Sequence, residues 1–155
     1  ADFAMGVRVQ EEAFDVGQEL AALTAGRVDV GAVASFVGLV RDRNDGQGIT
    51  AMTLEHYPGM TQSALDDIVA QARSRWDLLD VLVVHRYGRL VPGDPIVLVL
   101  VSSAHRGEAF SACEFVMDFL KTSAPFWKKE VTPDGARWVD ARDTDSAAAR
   151  RWDAS

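Results

Sequence analysis

Two consecutive runs decide the fold: Ile96-Val-Leu-Val-Leu-Val-Ser102 and, past Ser103-Ala-His-Arg106, Gly107-Glu-Ala-Phe-Ser-Ala-Cys-Glu-Phe-Val-Met-Asp-Phe-Leu120. The first carries no charge and does not alternate, which predicts a strand apolar on both faces and therefore central in its sheet. In the second, Phe110, Cys113, Phe115, Val116, Met117, Phe119 and Leu120 cover more than one helical stripe. A helix buried on two sides is expected there. Pro125 disfavours helix at Ala124, so the helix should end near Thr122.

Working toward the N-terminus, Leu79 to His85 reads as the preceding strand, with Pro92-Gly-Asp-Pro95 as the turn region between the two. Leu65, Ile68, Val69, Ala72 and Trp76 recur at helical spacing behind Thr61, a candidate N-cap. Asp66, Asp67, Gln71 and Arg75 form the outer face of that helix. Val28 to Val40 is almost free of charge and suits a buried strand or strand pair. Arg41-Asp-Arg-Asn-Asp-Gly-Gln-Gly48 reads as a polar turn tightest at Asp45-Gly46, and Ile49 to Tyr57 as the antiparallel return strand. Val7 to Val9 alternates weakly, and Val16 to Leu23 predicts a short helix before Gly26.

Toward the C-terminus, Phe126 to Val131 and Ala136 to Val139 are expected as short strands around a Pro133-Asp-Gly135 turn, and Asp145 to Trp152 as a terminal helix. No repeat, low-complexity tract or linker interrupts the order. Residues 1–155 are therefore read as a single α+β domain.

Composition narrows the function classes. A formal net charge of -7 argues against a nucleic-acid surface, so a local basic cluster reads as a small anion-binding pocket. No run reaches the roughly 18 apolar residues of a membrane span, and Ala1 to Gln10 lacks a basic region followed by an apolar block, which makes a cytoplasmic location the expectation. The only cysteine, Cys113, has no partner for an internal disulfide. His56, His85 and His105 show no i, i+4 pairing, so no metal site is expected, and no resident cofactor is expected either. His56 and His85 are read as structural, Cys113 as a small buried apolar group, and Trp76, Trp138 and Trp152 as packing groups.

The chemistry-bearing residues cluster at the two ends of the predicted second helix. At its C-terminal end, Lys121-Thr-Ser-Ala-Pro-Phe-Trp-Lys128-Lys129-Glu130 places one lysine on the last turn and another just past the proline break. A second cation and partial burial both disfavour a protonated amine, which makes such lysines usable as acid, base or nucleophile. Phe126 and Trp127 suit the wall of a pocket for a flat ring. The plainer alternative is that Lys121 complements the helix dipole while Lys128 and Lys129 are solvated strand residues. At the other end, His105 and Arg106 lie where free N–H groups favour an anion such as phosphate. Arg41 and Arg43 leave a strand for a polar loop, a common place for binding side chains and equally for solvated charge.

Geometry sets a condition on combining these groups. Over an unbroken helix, residues 105–106 and 121 lie roughly 22 to 24 Å apart, farther than one small metabolite spans. Both ends serve one ligand only if a symmetric dimer supplies one end from each copy.

Together, Phe36-Val-Gly-Leu-Val-Arg41, Thr53-Leu-Glu-His-Tyr-Pro-Gly-Met60, His85-Arg-Tyr-Gly88, Pro92-Gly-Asp94, Ser103-Ala-His-Arg106 and the Lys121–Glu130 stretch closely resemble the catalytic large subunit of molybdopterin synthase. The match runs in order from about Val28 to Arg142. The resemblance implies an α+β fold of the α/β-hammerhead type with an additional antiparallel sheet. It also implies a homodimer of large subunits within a heterotetramer, with a small ubiquitin-like sulfur carrier at each end. The carrier's C-terminal Gly-Gly thiocarboxylate would deliver two sulfur atoms to cyclic pyranopterin monophosphate, forming the dithiolene of molybdopterin.

Carried over by motif, the resemblance makes Lys121 and Lys128 catalytic and places Arg41, His105, Arg106 and Glu130 in the substrate site, with Lys129 and Arg142 as further members. Leu39 stands where some relatives place a basic residue. An enzyme fed by another protein's thiocarboxylate needs no nucleophilic cysteine, consistent with a single buried thiol. Two rival readings remain at the level of sequence: a module that only captures a partner's C-terminal carboxylate, and a phosphate-dependent acyl-transfer enzyme with Lys121 as nucleophile.

Overall fold

The computed structural model describes residues 6–44, 46–139, 148 and 150–153. In chain order the elements are β1 (Gly6–Gln10), α1 (Val16–Thr24), β2 (Ala32–Leu39), β3 (Arg43–Asn44), β4 (Gln47–Gly48), β5 (Ala51–His56) and α2 (Met60–Arg75). There follow β6 (Asp80–Arg86), β7 (Gly88–Leu90), β8 (Pro95–Ser103), α3 (Arg106–Thr122), β9 (Phe126–Thr132) and β10 (Gly135–Val139). They form an α+β arrangement of two four-stranded sheets and a two-stranded hairpin.

The first sheet has the order β1-β6-β8-β2, with β8 inside it as its apolar run requires. Period-two alternation sorts the side chains by layer. Val97, Val99 and Val101 of β8, with Val81 and Val83 of β6, face α2 and α3; there they meet Ile68, Ala72, Ala112 and Val116. The leucines in between, Leu98 and Leu100, join Leu82, Val84 and Leu23 of α1 on the opposite face. Each such fully buried side chain contributes roughly 1.5–3 kcal/mol, so this strand pair anchors both layers.

The second sheet, of order β10-β9-β5-β7, is antiparallel throughout. Met52, Leu54 and Leu90 pack with Val40 beneath it, and Tyr87 and Ile96 join them from the first sheet's side. The chain crosses between sheets at Tyr87, helped by Gly88 at φ +90°. The Arg86 guanidinium bonds the carbonyls of Glu11 and Pro95, at 3.0 Å each, and braces that crossing.

Several expectations change. The stretch Val28 to Val40 narrows to β2, an edge strand paired with β8 alone, and Phe36, Val37 and Leu39 are exposed. Ile49 to Tyr57 does not return along it. The Arg41–Gly48 segment closes its own hairpin, Arg43 opposite Gly48, while Val40 is bonded to Asp94 and Gly93. With β6 already on the other side of β8, β5 is delivered to the second sheet between β9 and β7. Of the expected tight point, Gly46 has φ +78° and Asp45 lies outside the described residues.

Helix α2 starts one residue before Thr61. Gly59, at φ +84°, is its N-cap, and the Thr61 hydroxyl instead donates to the Tyr57 carbonyl and accepts from Nδ1 of His56, both at 2.9 Å. Its apolar stripe and polar outer face are as expected, and Trp76 is the C-cap. Helix α3 ends at Thr122, closed by the Ser123 N–H on Phe119. Its Phe110, however, is 66% exposed: Ala109, Ala112, Cys113 and Val116 define the buried side and Phe110 falls off it. Trp138 is 57% exposed rather than packed inside. The expected terminal helix over 145–152 falls largely outside the described residues. Trp152 itself packs edge-on against Trp76 and Phe115 and donates to Asp118. Among the described residues no helix is long and apolar enough to cross a membrane.

Candidate active site

Strand β9 organises the site. Its alternation places Phe126, Lys128 and Glu130 on one face and Trp127 and Lys129 on the other. On the first face Phe126 stacks on His85, with ring centroids 3.9 Å apart and planes at 17°, and His56 packs against both Phe126 and Tyr87. Burial pushes the His85 imidazole down to about 4, against the pull of its bond to the Arg86 carbonyl, with the charges of Lys121 and His56 adding to the fall. That ring is neutral at physiological pH. A carbonyl only accepts, so the 2.8 Å contact puts the proton on Nδ1.

Lys121, exposed on the last turn of α3, therefore sits close enough to act on His85 by its charge. Lys128 stands two residues, roughly 6–7 Å, along β9 from the ring that His85 stacks on. Lys128 thus lies on the strand that carries the stacked Phe126, and Lys121 on the helix end whose charge reaches His85. Asp118 and Ser123 bond to the hydroxyl of Thr122, tying down the turn after Lys121.

Glu130 is buried at 3% exposure beside Lys128. Its Oε2 lies 4.0 Å from Nζ of Lys128. Its Oε1 accepts from Nδ2 of Asn44 at 2.9 Å and from Nη2 of Arg137 at 3.3 Å. Lys129, across the strand, lies 5.6 Å from the ring of Trp138, its cross-strand partner, on the face where Trp127 donates to Glu55. The strand separates it from Lys128 and Glu130. Arg41 is exposed in the segment between β2 and the β3–β4 hairpin.

His105 is the N-cap residue of α3 and Arg106 its first residue, both exposed. The helix is unbroken, so Arg106 and Lys121 stand roughly 22 Å apart within one chain. Arg142 lies outside the described residues. A groove of about 270 Å³ lined by Ile68, Arg75, Phe119 and Trp152, among others, includes none of the predicted site residues.

Two of these residues, Arg137 and Asn44, are missing from the sequence reading of the site, while His85, read there as structural, is a buried ring stacked on Phe126. Arg137 was accessible from the Pro133-Asp-Gly135 turn, because counting outward from that hairpin pairs it with Glu130. Asn44 left no signal, since its contact spans 86 residues.

A family model described as "MoaE protein" matches residues 9–123. The chain belongs to the MoaE protein family. A molybdopterin synthase catalytic subunit from Ralstonia nicotianae is 66% identical over 146 residues, covering 94% of this chain and 83% of that protein. One from Pseudomonas aeruginosa is 60% identical over 149 residues, covering 96% and 99%. Among solved structures, the molybdopterin biosynthesis MoaE protein from Burkholderia ambifaria superposes with a TM-score of 0.82 at 56% identity, covering 97% of this chain and 99% of that one. The MoaE match runs from the last two residues of β1 to just past the end of α3, and thus includes Arg41, His105, Arg106 and Lys121.

Proposed function

We propose that this chain is the catalytic large subunit of a molybdopterin synthase. It moves sulfur from the C-terminal thiocarboxylate of a small sulfur-carrier subunit to cyclic pyranopterin monophosphate, forming the molybdopterin dithiolene in molybdenum cofactor biosynthesis. The observation that carries this reading is the 66% identity to a molybdopterin synthase catalytic subunit across 94% of the chain. The placement of Lys128 on the strand of the stacked Phe126, with the charge of Lys121 reaching His85 beneath it, supports the same reading.

In this reading the two amines serve the proton transfers that accompany sulfur attack and oxygen displacement on the pterin. The stacked Phe126 and His85 form an apolar floor for a flat ring, where charge–charge interactions are strengthened by the exclusion of water. Arg41, Arg106 and the N–H groups at the start of α3 hold the phosphate, and His105 and Glu130 complete the lining, whereas Lys129 lies across β9 from Lys128 and Glu130 and is not part of it. The separation of Arg106 from Lys121 requires a second copy, so each site takes its lysines from one subunit and its His105-Arg106 end from the other. The assembly is a homodimer of large subunits carrying one small subunit at each end, located in the cytoplasm.

Incubation with thiocarboxylated carrier and cyclic pyranopterin monophosphate, followed by detection of the dithiolene, tests the assignment. Binding of the carrier tail without product would turn the reading to a capture module.

A further inference from the structure

The bonds around Glu130 reach beyond the residues assigned so far. A carboxylate this deeply buried needs its oxygens satisfied. Asn44 and Arg137 both donate to Oε1, and the same Nη2 of Arg137 also donates to the main-chain carbonyl of Asn44 at 3.0 Å. Nε of Arg137 is buried without a hydrogen-bond partner, so the polar contacts that orient this guanidinium are those made by Nη2. With Oε1 held twice, Oε2 is the oxygen that faces Lys128. At 4.0 Å it is at the outer limit of an ion pair and too far for a hydrogen bond. The carboxylate therefore acts on the ammonium by charge rather than through a direct hydrogen bond.

The clamp also joins separate segments. Asn44 belongs to the hairpin that follows Arg41, while Arg137 pairs with Glu130 from β10. Two donors thus fix the lysine-bearing strand relative to the loop that carries Arg41.

We infer that Asn44 and Arg137 are positioning residues for sulfur transfer: by fixing one oxygen of Glu130 they set the place of Lys128 and hold the Arg41 loop to the same strand. This rests on the functional reading above, in which Lys128 works on the pterin.

The test measures kcat and KM for Arg137→Met and Asn44→Ala in the full chain, with thiocarboxylated carrier and cyclic pyranopterin monophosphate. Misplacement of a catalytic amine predicts a fall in kcat of about tenfold or more with KM nearly unchanged. Because both residues act through Glu130, adding Arg137→Met to Glu130→Gln should lower kcat no further than Glu130→Gln alone. Arg137→Lys, which restores a cation beside Oε1, should recover part of the loss. Unchanged kcat in both variants, a loss confined to KM, or effects that multiply with Glu130→Gln would each overturn the inference. If Arg137→Met fails to fold, Asn44→Ala combined with Glu130→Gln gives the same comparison. An inactive unmodified chain would overturn the functional reading as well, whereas an active one with indifferent variants overturns only this inference.

Discussion

The ring of Phe126 lies parallel to that of His85 to within 17° at a centroid distance of 3.9 Å, which couples the strand bearing Lys128 to the first sheet. His85 is at once the stacking partner of Phe126 and a buried titratable group.

Its imidazole is held down to about 4, below the ordinary 6.5, chiefly by burial. Between these values the unfolded chain binds a proton that the folded chain refuses, so stability is full above pH 6.5 and falls as the pH drops toward 4. The shift corresponds to a loss on the order of 3 kcal/mol across that window. His85→Phe keeps a ring for the stack and removes the titration. Thermal unfolding followed from pH 7 to 4.5 should show a shallower decline for this variant than for the unmodified protein. Equal slopes would show that His85 does not control it.

Lys121 is exposed, and the helix beneath it is closed by backbone and Thr122 bonds that Lys121→Ala leaves intact. Stability should change by no more than about 0.5 kcal/mol. Product formation should drop about a hundredfold or more, as for loss of a proton-transferring group, with carrier binding retained. A single-turnover assay beside a carrier titration separates the two effects.

Cys113 faces the sheet among Val116 and Ala112, and burial together with the charge of Glu114 pushes its thiol up to about 11. So little thiolate exists at neutral pH that it cannot serve as a sulfur relay. Cys113→Ser should lower stability by about 1–3 kcal/mol through the buried hydroxyl, yet leave sulfur transfer largely intact. Loss of turnover in a folded Cys113→Ser protein would reverse that conclusion.

Mixing Lys121→Ala chains with Arg106→Ala chains tests the shared site. With random exchange, half of the dimers are hybrids, each with one intact site, so about a quarter of full activity should return. No recovery in a mixture proven by mass to contain hybrids would place both ends of the site within one chain.

Much of this was legible along the chain. The doubly apolar run at 96–102, the stripe from Leu65 to Ala72 and the Pro133-Asp-Gly135 hairpin each announce an element through local periodicity. Helix length alone separates Arg106 from Lys121. The misreadings share a cause. Which strand β5 pairs with, whether β2 lies at an edge, and whether Phe110 or Trp138 finds cover all depend on what other segments occupy the neighbouring space.

The identity and spacing of the lysines, arginines and aromatics, the order of helices and strands, and the family itself were set by residues read in one dimension, because side-chain period and motif chemistry are local properties. Only the tertiary structure decided that Asn44 meets Glu130 across 86 residues, that His85 lies under Phe126, and that Lys129 faces away from Lys128. Such pairings arise from sheet register and layer packing, in which the whole chain competes for the same buried volume.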